Sequence, residues 1–176
     1  MATPIQTLRA TGLESLPLGS PAPSGFAFDP ADVIGYYTTL GYTCGDPVPS
    51  SQADGYVVTS CRLVDAEGRT RTAGFVIDAD GRLGDGYASV RGADGEAYLE
   101  PDAALDPLAA FLGAMLGGER GAEAAIWMKE HLGEAYAART LGTITVATYT
   151  APGDDPSELF VEVADPAYVA ASPAPT

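Results

Sequence analysis

Histidine and lysine are nearly missing from this chain, which has one of each, His131 and Lys129. Every imidazole-dependent mechanism, whether a serine or cysteine hydrolase or a histidine-ligated metal centre, must therefore run through His131. Basic side chains of any kind are scarce, 9 against 24 acidic ones, for a formal net charge of −15. None of the arginines stands in a basic run, so nothing is present to neutralise phosphates, which argues against nucleic acid and against docking on an anionic membrane. Long apolar runs are missing as well, so no stretch reads as a transmembrane segment. The chain also lacks a Gly-x-Ser-x-Gly elbow, a Cys-x-x-Cys pair, a Gly-x-Gly-x-x-Gly turn and a Gly-Lys-Ser/Thr phosphate loop. Their absence removes the motif-based routes to a hydrolase, a thiol redox centre and a nucleotide site, and no cofactor is expected.

What is present is globular. Of 176 residues, 46% are apolar and 19% charged, which suits one acidic domain around one core. Residues 1–25 close in Leu-Pro-Leu-Gly-Ser-Pro-Ala-Pro-Ser-Gly and read as a linker, and 170–176 read as a tail, leaving 26–169 as a single domain. No basic-flanked apolar segment with a cleavage site opens the chain. The expectation is a mature or trimmed form of an exported protein, a cytosolic protein reading the same way here.

Within the domain, Asp29-Pro30 has the form of a helix start, with Phe28 and Val33 at staple spacing, Val33, Tyr37 and Leu40 on one face and Gly41 as the stop. The spacing predicts a helix over 30–40. From Tyr42 to Leu99 the period shortens, and Asp65-Ala66-Glu67-Gly68, Asp78-Ala79-Asp80-Gly81 and Ala93-Asp94-Gly95 punctuate it as turns. Strands are expected over 55–64, 70–78, 83–91 and 96–100, with a short one at 42–44, as an antiparallel meander. In the first long strand Val57, Thr59 and Cys61 alternate with Tyr56, Val58 and Ser60, so one face can be buried. A second Asp-Pro start, at Asp106-Pro107, predicts a helix over 107–116, and a third helix is expected over 122–138. Strands at 143–150 and 158–163 finish the order. Strands followed by helices favour an α+β fold over a doubly wound parallel sheet.

The cysteines, Cys44 and Cys61, fall where the chain leaves the first helix and where the first long strand returns. Antiparallel neighbours lie within disulfide range, so a bridge fits; two unconnected buried thiols are the alternative. The run Asp32-Val33-Ile34-Gly35-Tyr36-Tyr37-Thr38-Thr39-Leu40-Gly41-Tyr42-Thr43-Cys44, the returning Val57-Val58-Thr59-Ser60-Cys61 and the Trp127 helix before Thr143 resemble uncharacterised envelope-associated domains of high-GC bacteria. The resemblance covers about residues 28–164. It implies an extracytoplasmic, disulfide-bonded α+β domain and transfers no catalytic residue.

Three residue groups invite chemistry. Trp127 and His131 are one helical turn apart, with Glu130 and Glu134 nearby, and are read as a surface packing pair with an interaction role rather than a metal or catalytic site. Asp78, Asp80 and Asp85 invite calcium, but Arg82 and Leu83 break the EF-hand pattern and an Asp-Gly hairpin explains the loop better. The 9 tyrosines suit either strand-edge packing or recognition of a protein or glycan. The leading expectation is a non-catalytic extracytoplasmic binding domain whose partner is a protein or envelope component. A cytosolic acidic chaperone or adaptor is the rival, and a carboxylate-dependent hydrolase stays open because such a pair is set by three-dimensional spacing.

Overall fold

Asp29-Pro30 opens the first helix, α1 (Pro30–Thr39), because Pro30 has no amide to leave unbonded and the Asp29 carbonyl accepts the amides of Asp32 and Val33 at 3.1 and 3.2 Å. The Asp29 carboxylate makes no capping bond, so proline and backbone alone start the helix. It ends at Gly41 (φ 89°), whose amide bonds the Thr38 carbonyl while the Tyr42 amide bonds that of Tyr37, each at 3.1 Å. That pair of reversed bonds is a Schellman closure, which needs the left-handed residue that glycine supplies. The structure is a computed structural model that describes residues 25–151 and 155–171. The linker read over 1–25 and the tail read over 170–176 lie almost wholly outside them.

The strands β1 (Thr43–Cys44), β2 (Val48–Pro49), β3 (Val57–Val64), β4 (Thr70–Ile77) and β5 (Leu83–Arg91) follow α1. Helices α2 (Pro101–Leu116) and α3 (Gly118–His131) precede β6 (Tyr136–Leu141), β7 (Ile144–Ala151), β8 (Asp155–Ala164) and the short α4 (Pro166–Ala171). All the strands join one antiparallel sheet in the order β1-β3-β4-β5-β8-β7-β6, with β2 beside β3. Two meanders, β3 to β5 and β6 to β8, thus meet through their last strands, and the fold is α+β.

Two of its hairpins use one device. In Asp65-Ala66-Glu67-Gly68-Arg69 and Asp78-Ala79-Asp80-Gly81-Arg82, the leading carboxylate accepts the amides two and four residues on, at 2.8–3.1 Å. The glycine, at φ 78° and 79°, makes the turn. Cys44 and Cys61 are register partners across β1 and β3 and form a disulfide, with Cα atoms 3.9 Å apart. Closing a loop of 17 residues in this way stabilises the fold by about 3 kcal/mol in the chain-entropy picture.

Helices α1, α2 and α3 cover one face of the sheet. Cys61, Phe75, Val90, Val161 and Val146 point into that layer and meet Val33, Tyr37, Phe111, Leu112 and Met128. Phe75 lies between Tyr37 (5.5 Å between ring centres) and Phe111 (6.4 Å). At Gly86 the sheet approaches α2 so closely that a Cβ would fall 2.4 Å from the Met115 methyl.

Several elements differ from the sequence expectation. Residues 96–100 are not a strand: the Glu96 carboxylate turns back to accept the Ala93 amide at 2.9 Å, and Leu99 is buried ahead of the helix. Helix α2 starts at Pro101, six residues before the expected Pro107, because the buried stripe Ala104, Leu108, Phe111, Leu112, Met115 runs through both proline starts. Pro107 sits inside α2. Helix α3 stops at His131, with Gly133 at φ 97°, instead of continuing to 138. The residues beyond it, good helix formers by composition, become β6, because Gly142-Thr143 closes a two-residue hairpin onto β7 and extends the sheet. The C-terminal strands consequently number three rather than two, and α4 is also unforeseen.

Candidate functional site

Strand alternation that aims Gly86, Ala88 and Val90 at the helices sends Asp85, Tyr87, Ser89 and Arg91 to the other face. Across the ladder, Tyr87 pairs with Glu162, Ser89 with Phe160 and Arg91 with Glu158, so β8 adds its polar and aromatic residues to that face. Tyr149 of β7 pairs with Phe160, and the two rings stack 5.0 Å apart and 5° from parallel.

One end of this face is covered. Helix α4 begins at Asp165-Pro166, where the Asp165 carboxylate accepts the Ala167 amide at 2.8 Å, and it lays Tyr168 against Tyr56 at 5.1 Å. Tyr168, Ala53 and Val76 form a small core of their own. Between it and the Tyr149–Phe160 stack lies a cleft of about 400 Å³, walled by Val48 to Gln52 and floored by Val58, Val76, Asp85, Tyr87 and Glu162. That volume is in the range of small-molecule sites.

Tyr87 reaches its place because β4 has a glycine beneath it. A Cβ on Gly74 would lie 2.2 Å from the Tyr87 ring, and with that space free the phenol crosses β4 to meet the Ser60 hydroxyl at 3.2 Å. On the floor, Tyr149 donates to Glu162 Oε2 at 3.1 Å, and the Glu162 carboxyl is in turn hydrogen-bonded to that of Asp85. Asp85 is only 4% exposed, and its Oδ1 has no hydrogen-bond partner. Burial pushes the Asp85 acid up to about 9, helped by the charge of Glu162 and the hydrogen bond between the two, with the Gly86 amide opposing. Burial also raises the Tyr149 phenol, with the charge of Glu162 adding to it. At neutral pH Asp85 therefore keeps its proton. Among the described residues no lysine, arginine or histidine lines the cleft.

Two carboxyls in contact leave no room for the sugar and water that separate a glycosidase pair by about 5 Å or more. What the arrangement offers is acceptors for a donor or cation, a proton to exchange, and aromatic faces beside them.

The residues singled out from sequence lie elsewhere. Trp127 is buried under α3, and the half-exposed His131 ring rests on it at 5.0 Å while its Nδ1 meets Glu134 at 3.0 Å. Neither lines the cleft. Asp78, Asp80 and Asp85 do not converge: Asp78 is engaged by its own turn amides, Asp80 lies 3.8 Å from Arg82, and Asp85 is on the cleft floor. Of the tyrosines, Tyr87, Tyr149 and Tyr168 come together at the cleft, whereas Tyr98 and Tyr136 stand exposed away from it. The Asp85–Glu162 pair was missed because its members are 77 positions apart in sequence. The available signal was Asp85 and Tyr87 alternating with Gly84, Gly86 and Ala88 in β5.

Fold and site together define an α+β domain with a half-neutralised acid pair in an aromatic cleft on one face of its sheet. Comparison with protein-family models, with curated proteins and with solved structures finds no match.

Proposed function

We propose that this is a non-catalytic binding domain of the extracytoplasmic space, and that its ligand occupies the cleft between Tyr168 and the Tyr149–Phe160 stack. The observation that carries this is the cleft itself: about 400 Å³, aromatic walls, and a convergent group of polar side chains on a rigid sheet floor. The Cys44–Cys61 bridge supports this compartment, since a structural disulfide persists where the surroundings are oxidising. The likeness to envelope-associated domains of high-GC bacteria points the same way.

A set of small fragments, balanced among amines, carboxylates and neutral alcohols, tests the binding reading by proton–nitrogen NMR at millimolar concentration. Shifts confined to the amides of Tyr87, Tyr149, Phe160 and Glu162 support it. A set that leaves those amides unmoved, or a fragment that is turned over, overturns it. For the compartment, alkylation and mass spectrometry of protein taken from its native cells without reductant should find Cys44 and Cys61 joined; two free thiols would defeat the placement.

The adaptor reading draws on a different feature. Strand β6 ends the sheet with an outer edge unpaired among the described residues, and Tyr136 on it is 65% exposed. Such an edge is where a partner's extended segment adds a strand.

A further inference from the structure

We infer that the cleft selects a small organic cation, an ammonium on a flat apolar body, with the ammonium seated on Glu162 and Asp85 and the body lying against Tyr149 and Phe160. This rests on the reading of the cleft as a binding site and adds the chemical class of the ligand.

Three independent observations point to a cation. The first is the missing counter-charge. Buried carboxylates in proteins are paired, and Glu158, on the same face of the same strand, is gripped by Arg91, whose Nε and guanidinium nitrogen stand 2.9 and 2.6 Å from Oε2. Among the described residues the Asp85–Glu162 pair has no basic neighbour in the cleft. The second is Asp85 Oδ1, an acceptor without a partner on a side chain 4% exposed. A buried acceptor left unmade costs free energy that a donor entering the cleft recovers. The third is the wall: parallel rings of Tyr149 and Phe160 on one side and Tyr168 on the other give π faces to an ammonium and apolar area to its body. A divalent metal is the poorer fit. Two carboxyls and a phenol that already donates fall short of the six or more oxygens calcium takes, and among the described residues no group of three acidic, histidine or cysteine side chains is placed to hold an ion.

Binding exchanges one cation for another. When the ammonium arrives, the proton held by Asp85 leaves to solvent, and the pair becomes two carboxylates against one positive charge. The titratable groups facing Asp85 are Glu162 from β8, Tyr87 from β5, Tyr149 from β7 and Tyr168 from α4; β3 and β4 contribute only Val58 and Val76 to the cleft. With no cation among them, affinity rises with pH by up to about tenfold per unit until Asp85 ionises unaided, and then levels.

Calorimetry and proton–nitrogen NMR on the intact, disulfide-bonded chain test this with phenethylammonium and tryptammonium, their neutral counterparts 2-phenylethanol and tryptophol, and calcium chloride alone. The expected result is that at least one ammonium shifts the amides of Tyr87, Tyr149 and Glu162, binds about tenfold or more tightly than its alcohol, and releases up to one proton at pH 7, read from heats in buffers of different ionisation enthalpy. In the near-isosteric Asp85→Asn and Glu162→Gln variants the preference for ammonium over alcohol should fall toward parity, and Asp85→Asn should release no proton. Equal binding of ammonium and alcohol overturns the cation while leaving the binding domain standing. Calcium moving those amides when the ammonium ions do not also overturns it. Silence from both ammonium ions overturns it too, and whether the binding reading falls with it is decided separately by the carboxylates and neutral members of the fragment set.

Discussion

Strands β5 and β8 carry two buried acidic sites on one face, four residues apart, and the protein treats them in opposite ways. Glu158 accepts the Ser89 hydroxyl at 2.8 Å and both forks of Arg91, the cross-strand partner of Glu158. Glu162, two same-face pairs further along, has Tyr87 opposite and another acid, Asp85, diagonally across. The first site is complete and closes on itself, as buried charges in a stable fold must. The second carries an unmade acceptor and a proton in place of a counter-charge. Incomplete pairing next to a cleft marks a site for something that is not part of the chain, whereas the complete pair four residues along the same strand marks structure.

Removing Arg91 should destabilise the fold most, because it turns the complete site into an uncompensated one. The Glu158 side chain is 11% exposed, and left without its cation it should cost Arg91→Ala about 3 kcal/mol in urea unfolding at pH 7. A loss well under about 1 kcal/mol would mean that water already satisfies Glu158 and that the two sites do not differ in kind.

Asp85→Asn should move stability the other way. The Asp85 acid is raised in the folded state and ordinary in the unfolded chain, so its contribution is fully present below the unfolded value and drains away as pH climbs toward about 9. An amide does not titrate. The variant should therefore match the parent near pH 4 and exceed it by about 1–4 kcal/mol at pH 8. Equal stability at both pH values would break the comparison. Asp65 supplies the opposite limb. Burial would raise its carboxyl, but the Arg69 amide and the Arg71 guanidinium outweigh that and hold it low, so its contribution is lost as pH falls through its folded value. Acid unfolding of Asp65→Asn should accordingly be shallower than that of the parent, while Asp85→Asn flattens the alkaline side.

Gly74→Ala sharpens the account of the cleft. The new methyl collides with the Tyr87 ring, so the ring must leave β4 and lose Ser60, at about 2 kcal/mol by urea unfolding, with the Tyr87 amide shifted in NMR. Tyr149→Phe should have the smallest effect. Deleting the hydroxyl that donates to Glu162 removes about 1 kcal/mol, and the ring stack with Phe160 remains. A Gly74→Ala loss no larger than that of Tyr149→Phe would mean the ring position is soft.

Much of the scaffold was legible in the residues. Local chemistry declared α1 through Pro30 and Gly41, the twin hairpins through Asp-Ala-x-Gly-Arg, and the strand face carrying Cys61 through simple alternation. Where two local signals competed, sequence could not choose. Pro101 and Pro107 both suit a first helical turn, and the buried stripe settled which one begins α2. From Glu134 to Arg139 the composition favours helix by propensity, yet an empty sheet edge beside β7 drew Tyr136–Leu141 into a strand, since a ladder of hydrogen bonds outweighs a few tenths of a kcal/mol per residue. The lone His131 and Trp127 attracted notice by rarity, and rarity says nothing of where a side chain points.

The sequence by itself determined an acidic chain of net charge −15, together with α+β order and the cysteine pair. These follow from composition and from spacings of a few residues, over which backbone geometry is fixed. Only the tertiary structure decided that β5 and β8 are neighbours, although 69 positions separate Ser89 from Glu158. That pairing places Asp85 against Glu162 and brings Tyr168 across the end of the sheet. The site exists because distant strands pair, and no local pattern in an antiparallel sheet records which strand its neighbour will be.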